Sequence, residues 1–197
     1  MRNHPILSKD YWLDAAGHAR NLRVMVICAL CVALSIILGY FYIPLNESLT
    51  IRFTFLATST VGLVAGPVGA LIFGAAVDLL DYMMHPTGVF FFGYTISSML
   101  GALIYALCYY RQRLTVVRII FCRLAVNLIV NVFMNAIWSS ILYGKGYIYR
   151  LVISYIKNIA LLPIEVAVTV AFFTLLIPAF KETTFIPGEQ RSKITWI

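Results

Sequence analysis

Apolar residues occur in six long runs along the chain, separated by short polar connections. A helix needs about 20 apolar residues to cross roughly 30 Å of hydrocarbon. The second and third runs meet at Gly66 and Pro67, a pair that predicts a tight turn with proline near the first helical position. The pattern therefore predicts an all-α integral membrane bundle of six transmembrane helices. The expected spans are 24–42, 53–65 (beginning nearer Thr50), 68–83, 90–110, 116–143 and 150–180.

Composition supports a membrane protein and excludes other classes. Of the 197 residues, 61% are hydrophobic and 12% are charged, against about 45–50% and about 25% in an ordinary soluble domain. A chain this short cannot bury so much apolar surface in a single core. The same composition argues against a disordered chain, and four cysteines are too sparse for a disulfide-stapled secreted module.

The segments outside the apolar runs carry most of the charge. We expect residues 1–23 to form a cytoplasmic or interfacial segment, 24–180 the six-helix membrane domain and 181–197 a cytoplasmic tail. Residues 9–21 predict a short interfacial helix with Tyr11, Trp12 and Leu13 toward lipid; acidic residues and the lack of a small-residue cleavage site argue against a signal peptide. With six spans, ten Lys and Arg lie on the side of the termini and three on the other. This asymmetry predicts that both termini are cytoplasmic.

Polar side chains within the last two runs are candidates for a binding site, because such groups are costly in a bilayer and face the bundle interior or a cavity. Arg123, Asn127, Asn131 and Asn135 recur every four residues, which places neighbours on one slanted helix face. For Arg123 and Asn127 we favour hydrogen bonding between helices. For Asn131 and Asn135 we favour ligand contact, since an amide both donates and accepts and suits a flat heterocycle.

Cations in the sixth run suggest an acidic ligand. Arg150 and Lys157 are seven residues apart and share a helix face, where they would attract a carboxylate. Arg52 precedes the second run and is a third candidate. The alternative is that these side chains extend toward lipid headgroups. Glu165, which follows Pro163, is interpreted as structural.

Acidic and aromatic residues follow the third run. Asp78 and Asp81 share a face and could meet the amidine edge of a heterocycle or cap the helix. A metal site with His85 is disfavoured because no further ligand has suitable spacing. Phe92 and Tyr94 belong to an aromatic run that could stack on a ring or form an interfacial belt. No nucleotide-binding, serine-hydrolase or zinc-protease motif occurs, and Cys28 and Cys31 are interpreted as apolar helix residues.

Several of these motifs resemble those of one transporter family. Ala29-Leu30-Cys31-Val32-Ala33 matches its Ala-x-x-x-Ala pattern. The segments 49–53 and 65–67, His85-Pro86-Thr87-Gly88, the following Gly93-Tyr94-Thr95-Ile96-Ser97, and Leu162-Pro163-Ile164-Glu165 are similar to its folate-specific branch. By these motifs the chain resembles the S components, the substrate-binding subunits, of energy-coupling factor (ECF) vitamin transporters. The likeness covers roughly residues 24–180.

The resemblance implies a non-catalytic subunit of a bacterial plasma membrane, without a cofactor, that captures folate outside. A separate transmembrane scaffold and two ATPases would be its partners, and the Ala29/Ala33 face would dock the scaffold. The expected substrate-binding residues are Arg52, Asp78, Asp81, His85, Thr87, Gly88, Phe92, Tyr94, Asn131, Asn135, Trp138, Arg150 and Lys157. Three alternatives remain open: an S component for riboflavin, thiamine or a queuosine precursor, a small membrane-embedded enzyme, and a channel or structural subunit.

Overall fold

The computed structural model describes residues 9–46, 49–84, 90–143 and 147–181, which are mostly helical. His85, Thr87 and Gly88 lie outside the described residues. A short helix and a long helix are followed by a hairpin, and four further helical stretches complete the described chain. In order, the elements are α1 (Lys9–Ala19), α2 (Leu22–Tyr40), β1 (Tyr42–Asn46), β2 (Leu49–Arg52), α3 (Thr54–Met84), α4 (Phe92–Tyr109), α5 (Val116–Val126), a π-helical segment (Asn127–Met134), α6 (Asn135–Tyr143) and α7 (Tyr147–Lys181).

The described residues contain five helical stretches long and apolar enough to cross a membrane, and one of them is broken in the middle. In α3, Gly66 adopts φ 72° and ψ −175°, and Pro67 begins the second half. A Cβ at Gly66 would lie 3.0 Å from the Tyr110 ring, so both the backbone conformation and the space require glycine. Counting the halves of α3 separately gives six helical segments, as the sequence predicts.

The main departure from the all-helical prediction is the hairpin between α2 and α3. Strands β1 and β2 pair antiparallel, with Tyr42 opposite Arg52 and Ile43 opposite Ile51. Thr50 therefore lies in a strand, and the expectation that the second span begins near it is wrong; α3 begins at Thr54. The β-branched residues Thr50 and Ile51 favour extended backbone, which competes with the helix at this point. Helix α7 begins at Tyr147, three residues before the predicted start.

Helix α1 packs more deeply than the sequence suggests. The Tyr11 side chain is only 5% exposed, and its ring meets that of Tyr110 edge-on with 6.1 Å between centroids. This burial raises the pKa of the Tyr11 phenol. Leu13 is 70% exposed, consistent with a lipid-facing position. The prediction that Tyr11 faces lipid is wrong, because the i+4 residue Ala15 is also buried and the two define an inward stripe on α1.

Small residues bring α3 and α4 into close contact. Ala70, Ala102 and Ala106 form one fully buried cluster. A Cβ at Gly62 would lie 2.9 Å from the backbone nitrogen of Ala106, and one at Gly74 would lie 2.8 Å from the backbone of Met99. Backbones approach this closely only where one helix offers no side chain. The contact fixes α4 against the first half of the bundle and so positions one wall of the cavity described below.

We expect Gly62→Ala to destabilise the protein, because the added methyl meets backbone that cannot turn away. The cost should be about 1–3 kcal/mol, as for other overpacked cores. Gly17→Ala in α1 is the matched control, since nothing lies within 4 Å of its Cβ position, and it should be neutral or mildly stabilising. Thermal unfolding of the two variants in detergent measures the difference. Equal stability would mean that α3 and α4 are not held this close.

Candidate functional site

A cavity of about 490 Å³ lies between α3, α4, the α5–α6 stretch and α7. Arg52, at the end of β2, is exposed and lines the cavity, so the cavity reaches the surface at the hairpin end of the bundle. Polar side chains from all four walls converge on it, an arrangement typical of a solute site in a membrane protein. The lining residues are Arg52, Thr54, Phe55, Thr58, Ser97, Ser98, Gly101, Ala102, Tyr105, Arg123, Val126, Val130, Asn131, Asn135, Ser154, Lys157, Asn158, Leu161 and Glu165.

A buried ion pair belongs to the lining. Arg123 of α5 lies 2.5 Å from Glu165 of α7, and the two side chains are 2% and 11% exposed. Arg123 also donates a hydrogen bond to the Tyr105 hydroxyl, and its guanidinium lies 4.0 Å from the centroid of the Phe55 ring. Since both charges are compensated locally, the pair can remain within the bundle. It joins α3, α4, α5 and α7 around one point.

Two asparagines extend this network along the wall. Asn127 Nδ2 donates to Glu165 Oε2 at 2.8 Å, and Asn131 Nδ2 donates to Asn127 Oδ1 at 2.9 Å. Both residues belong to the π-helical segment, which is eight residues of wider helix within an otherwise α-helical span. Such insertions occur frequently at functional sites because they redirect side chains.

The cavity carries a positive balance among its described lining residues. Glu165 is offset by Arg123, which leaves the charges of Arg52 and Lys157. Both cations line the same cavity, where Arg52 is exposed and Lys157 half-buried. Two like charges at an opening repel each other, and a bound anion reduces this repulsion. The arrangement therefore suits a ligand with one or more carboxylates and a polar planar part.

Comparison with known proteins identifies the family. Residues 23–179 match the family model described as "ECF transporter, substrate-specific component". The chain belongs to this family. It is 32% identical over 149 residues to the folate transporter FolT of Clostridium novyi, covering 76% of this chain and 87% of that protein. FolT of Leuconostoc mesenteroides is 28% identical over 170 residues, which cover 83% of this chain and 90% of that protein.

A solved structure supports the same fold. The crystal structure of FolT bound with folic acid superimposes with a TM-score of 0.71 at 24% sequence identity, covering 86% of this chain and 99% of that one. The family is one of transporter subunits and not of enzymes, and the apolar helices agree with a multi-pass membrane protein.

For this S component, the structure brings four of the predicted binding residues to the cavity: Arg52, Asn131, Asn135 and Lys157. Trp138 lies next to it, since its Nε1 donates to Ser97 Oγ at 2.9 Å and Ser97 is a lining residue. The Trp138 ring contacts Phe91 edge-on at 5.5 Å between centroids, and Phe91 contacts Tyr94 at 6.0 Å. These three rings form an aromatic cluster beside the cavity.

Other predicted residues lie away from this lining. Asp78 accepts a hydrogen bond of 2.6 Å from Thr95 Oγ1 and so ties α3 to α4. Asp81 faces α2, where its Oδ1 is 3.6 Å from the position of a Cβ on Gly39. Phe92 is 64% exposed on the outer surface. Arg150 is not among the lining residues, although Ser154, one turn further along α7, is.

Sequence reasoning missed several residues that line the site. Arg123 and Glu165 were interpreted as structural, and they are both structural and part of the lining. Thr58 carried no particular signal, and Asn158 stood out only as one of the polar residues of the sixth apolar run, without a role of its own. The spacing of Arg123, Asn127, Asn131 and Asn135 was the available signal, and it correctly placed polar groups on one face. In the described part of the chain no group of three or more His, Cys, Asp or Glu could hold a metal ion.

A second, apolar groove of about 430 Å³ lies among α1, α2 and α3, and Ala29 lines it. Ala29 and Ala33 are both exposed on α2. Only 17% of this helix is buried, so its outer face is available to lipid or to a partner. The small side chains leave a shallow surface on which another helix could lie close.

Proposed function

We propose that this chain is the substrate-binding subunit of an ATP-driven ECF transporter and that it captures folate. The observation that carries the proposal is the polar cavity with Arg52 and Lys157 near its opening. Folate combines a flat pterin ring with a glutamate that bears two carboxylates. The amides of Asn131 and Asn135 suit the pterin, and the two cations suit the carboxylates. Relatives named folate transporters support this choice of ligand.

The remaining parts of the proposal concern topology and partners. Both termini lie in the cytoplasm, as the distribution of Lys and Arg favours, so the cavity opens to the outside of the cell membrane. The partners are a transmembrane scaffold, docked through the Ala29/Ala33 face, and two ATPases. The membrane domain is 24–180, flanked by the cytoplasmic or interfacial segment 1–23 and the cytoplasmic tail 181–197. His85, Thr87, Gly88, Phe92, Tyr94, Asp78, Asp81 and Arg150 remain predicted ligand contacts.

The alternative ligands differ from folate in charge. Riboflavin lacks a carboxylate and thiamine is itself cationic, so neither relieves the charges of Arg52 and Lys157. Isothermal titration of the purified protein with folic acid, riboflavin, thiamine and a queuosine precursor tests the choice. We expect folic acid to bind most tightly. Tighter binding of a compound without a carboxylate contradicts the proposal, and chemical conversion of bound folate would indicate an enzyme.

We expect Lys157→Met to lower folate affinity, because a partly buried cation that faces a carboxylate is lost. A charged hydrogen bond contributes about 1.5–3 kcal/mol, which corresponds to roughly a 10- to 100-fold increase in Kd. Arg118→Met is the control, since Arg118 is a half-buried cation of α5 that does not line the cavity, and its Kd should change less than about threefold. Titrations at low and high salt should show weaker salt dependence for Lys157→Met than for the wild type.

Equal losses in the two variants would mean that the positive charge of Lys157 acts on the ligand only at a distance. A larger loss for Arg118→Met would place the carboxylate contact outside the cavity.

A further inference from the structure

A line of polar contacts runs from the buried ion pair to the cavity wall. Glu165 pairs with Arg123, Asn127 donates to Glu165, and Asn131 donates to Asn127. The members come from two helices and end at a side chain that faces the cavity. We call Glu165, Asn127 and Asn131 the amide relay.

The charged end of the amide relay, Glu165, determines which group donates and which accepts in every hydrogen bond of the relay. Glu165 beside Arg123 is a carboxylate, and a carboxylate only accepts hydrogen bonds. Asn127 must therefore turn its NH₂ group toward Glu165. A second acceptor, the backbone carbonyl of Asn158, lies 3.5 Å from the same nitrogen and favours the same orientation. Since the amide is planar, Asn127 Oδ1 then points the opposite way.

The orientation passes to Asn131 in the same manner. Asn127 Oδ1 accepts from Asn131 Nδ2 at 2.9 Å, which leaves Asn131 Oδ1 as the end of the relay. Asn131 lines the cavity, and within the described ranges no hydrogen bond is recorded to this oxygen. Which end of an amide faces a ligand is set by the hydrogen-bond network around it. Here the network selects the carbonyl oxygen.

We propose that Glu165 is a positioning residue that fixes, through Asn127, the amide orientation of Asn131, so that the cavity presents a carbonyl oxygen and selects a ligand edge bearing an N–H group. The proposal rests on the proposed function only in placing the ligand in this cavity. A pterin carries N–H groups on one edge and is one ligand of this class. An edge with acceptors alone would face an oxygen and leave it unpaired, at a cost in affinity.

The π-helical segment supports this role for the relay. Asn127 is fully buried and Asn131 half-buried, so the segment delivers one amide to the ion pair and the next to the cavity. A buried ion pair contributes little net stability compared with apolar packing. In the amide relay the ion pair instead determines whether a hydrogen-bond donor or an acceptor faces the ligand, which an apolar pair cannot do.

A double-mutant cycle on ligand affinity tests the relay. Glu165→Gln keeps the shape of the side chain but can donate as well as accept, which releases the orientation of both asparagines. We expect it to raise the Kd for folic acid about five- to tenfold, as for one lost hydrogen bond to the ligand. Asn131→Leu should raise the Kd at least as much. In the Asn131→Leu background, Glu165→Gln should add less than about a twofold change, because it acts through Asn131.

A control background separates this effect from general damage to the fold. Thr58 lines the same cavity, and its hydroxyl donates to the Thr54 carbonyl, outside the relay. In the Thr58→Val background, Glu165→Gln should keep its full effect on Kd. Should Glu165→Gln fail to fold, Asn127→Leu interrupts the relay without altering either charge, and it should show the same dependence on Asn131.

Three outcomes overturn the proposal. These are an equal effect of Glu165→Gln with and without Asn131, no effect of Glu165→Gln in the wild type, and no effect of Asn131→Leu. If the wild type prefers another compound of the vitamin panel, the proposed function fails, and the cycle is run with that compound to test the relay. A wild type that binds no compound of the panel overturns both.

Discussion

Ala29→Leu should abolish folate uptake while leaving the affinity of the isolated protein for folic acid unchanged. Ala29 is exposed on α2 and lines the apolar groove, and no residue of α2 lines the polar cavity. A leucine there has open space around it and does not disturb the core. On a surface where two helices lie close, however, the added side chain separates the backbones and removes their packing. The proposed scaffold would then no longer dock.

Two assays on the same variant distinguish ligand binding from docking to the scaffold. Folic acid binding to the purified protein gives the affinity, and ATP-dependent uptake into proteoliposomes that contain the partner subunits gives transport. Ala171→Leu is the matched control, because Ala171 is an exposed alanine on α7, which packs against the α5–α6 stretch, whereas α2 packs against α3. Uptake equal to that of the wild type would show that the Ala29/Ala33 face does not dock the scaffold. Loss of binding would show that this face supports the cavity.

The spans could be predicted because a bilayer imposes a length and an apolar composition on each of them. The ends of the spans could not be predicted, because they depend on local competition between helical and extended backbone. The segment Leu49-Thr50-Ile51 reads as a continuation of the next span, yet it pairs with β1. The sequence places Tyr11 at lipid as part of a short interfacial helix. Its burial depends on Tyr110, which is distant in sequence.

The candidate site, too, could be predicted from the sequence only in part. Asn131 and Asn135 were found from their spacing along one helix, and the structure places both at the cavity. Asp78 had an equally plausible chemical role, but Thr95 on the neighbouring helix accounts for its hydrogen bond. The partnership of Arg123 with Glu165 joins residues from two separate spans. No periodicity within a single helix reports such a contact, because it is set by the way the helices pack.

The Arg123–Glu165 pair carries the second large prediction. We expect Arg123→Met to lower the free energy of unfolding by about 3–5 kcal/mol, because it leaves the Glu165 carboxylate buried without its cation. Glu165→Leu should cost a similar amount by stranding the guanidinium. The double variant Arg123→Met with Glu165→Leu removes both charges and should recover most of the loss, since an apolar pair of similar volume packs without a desolvation penalty.

Arg118→Met provides the comparison within α5. Arg118 donates to Gln112 and to the Cys108 carbonyl and is half-buried, so its loss strands no buried charge and should destabilise much less. Denaturant unfolding in detergent, followed by tryptophan fluorescence, gives all four free energies. If the double variant is no more stable than the worse single variant, the two charges do not compensate each other. The amide relay would then lack its fixed end. A double variant that is stable but no longer selects ligands bearing an N–H group would support both the structural and the positioning role of the pair.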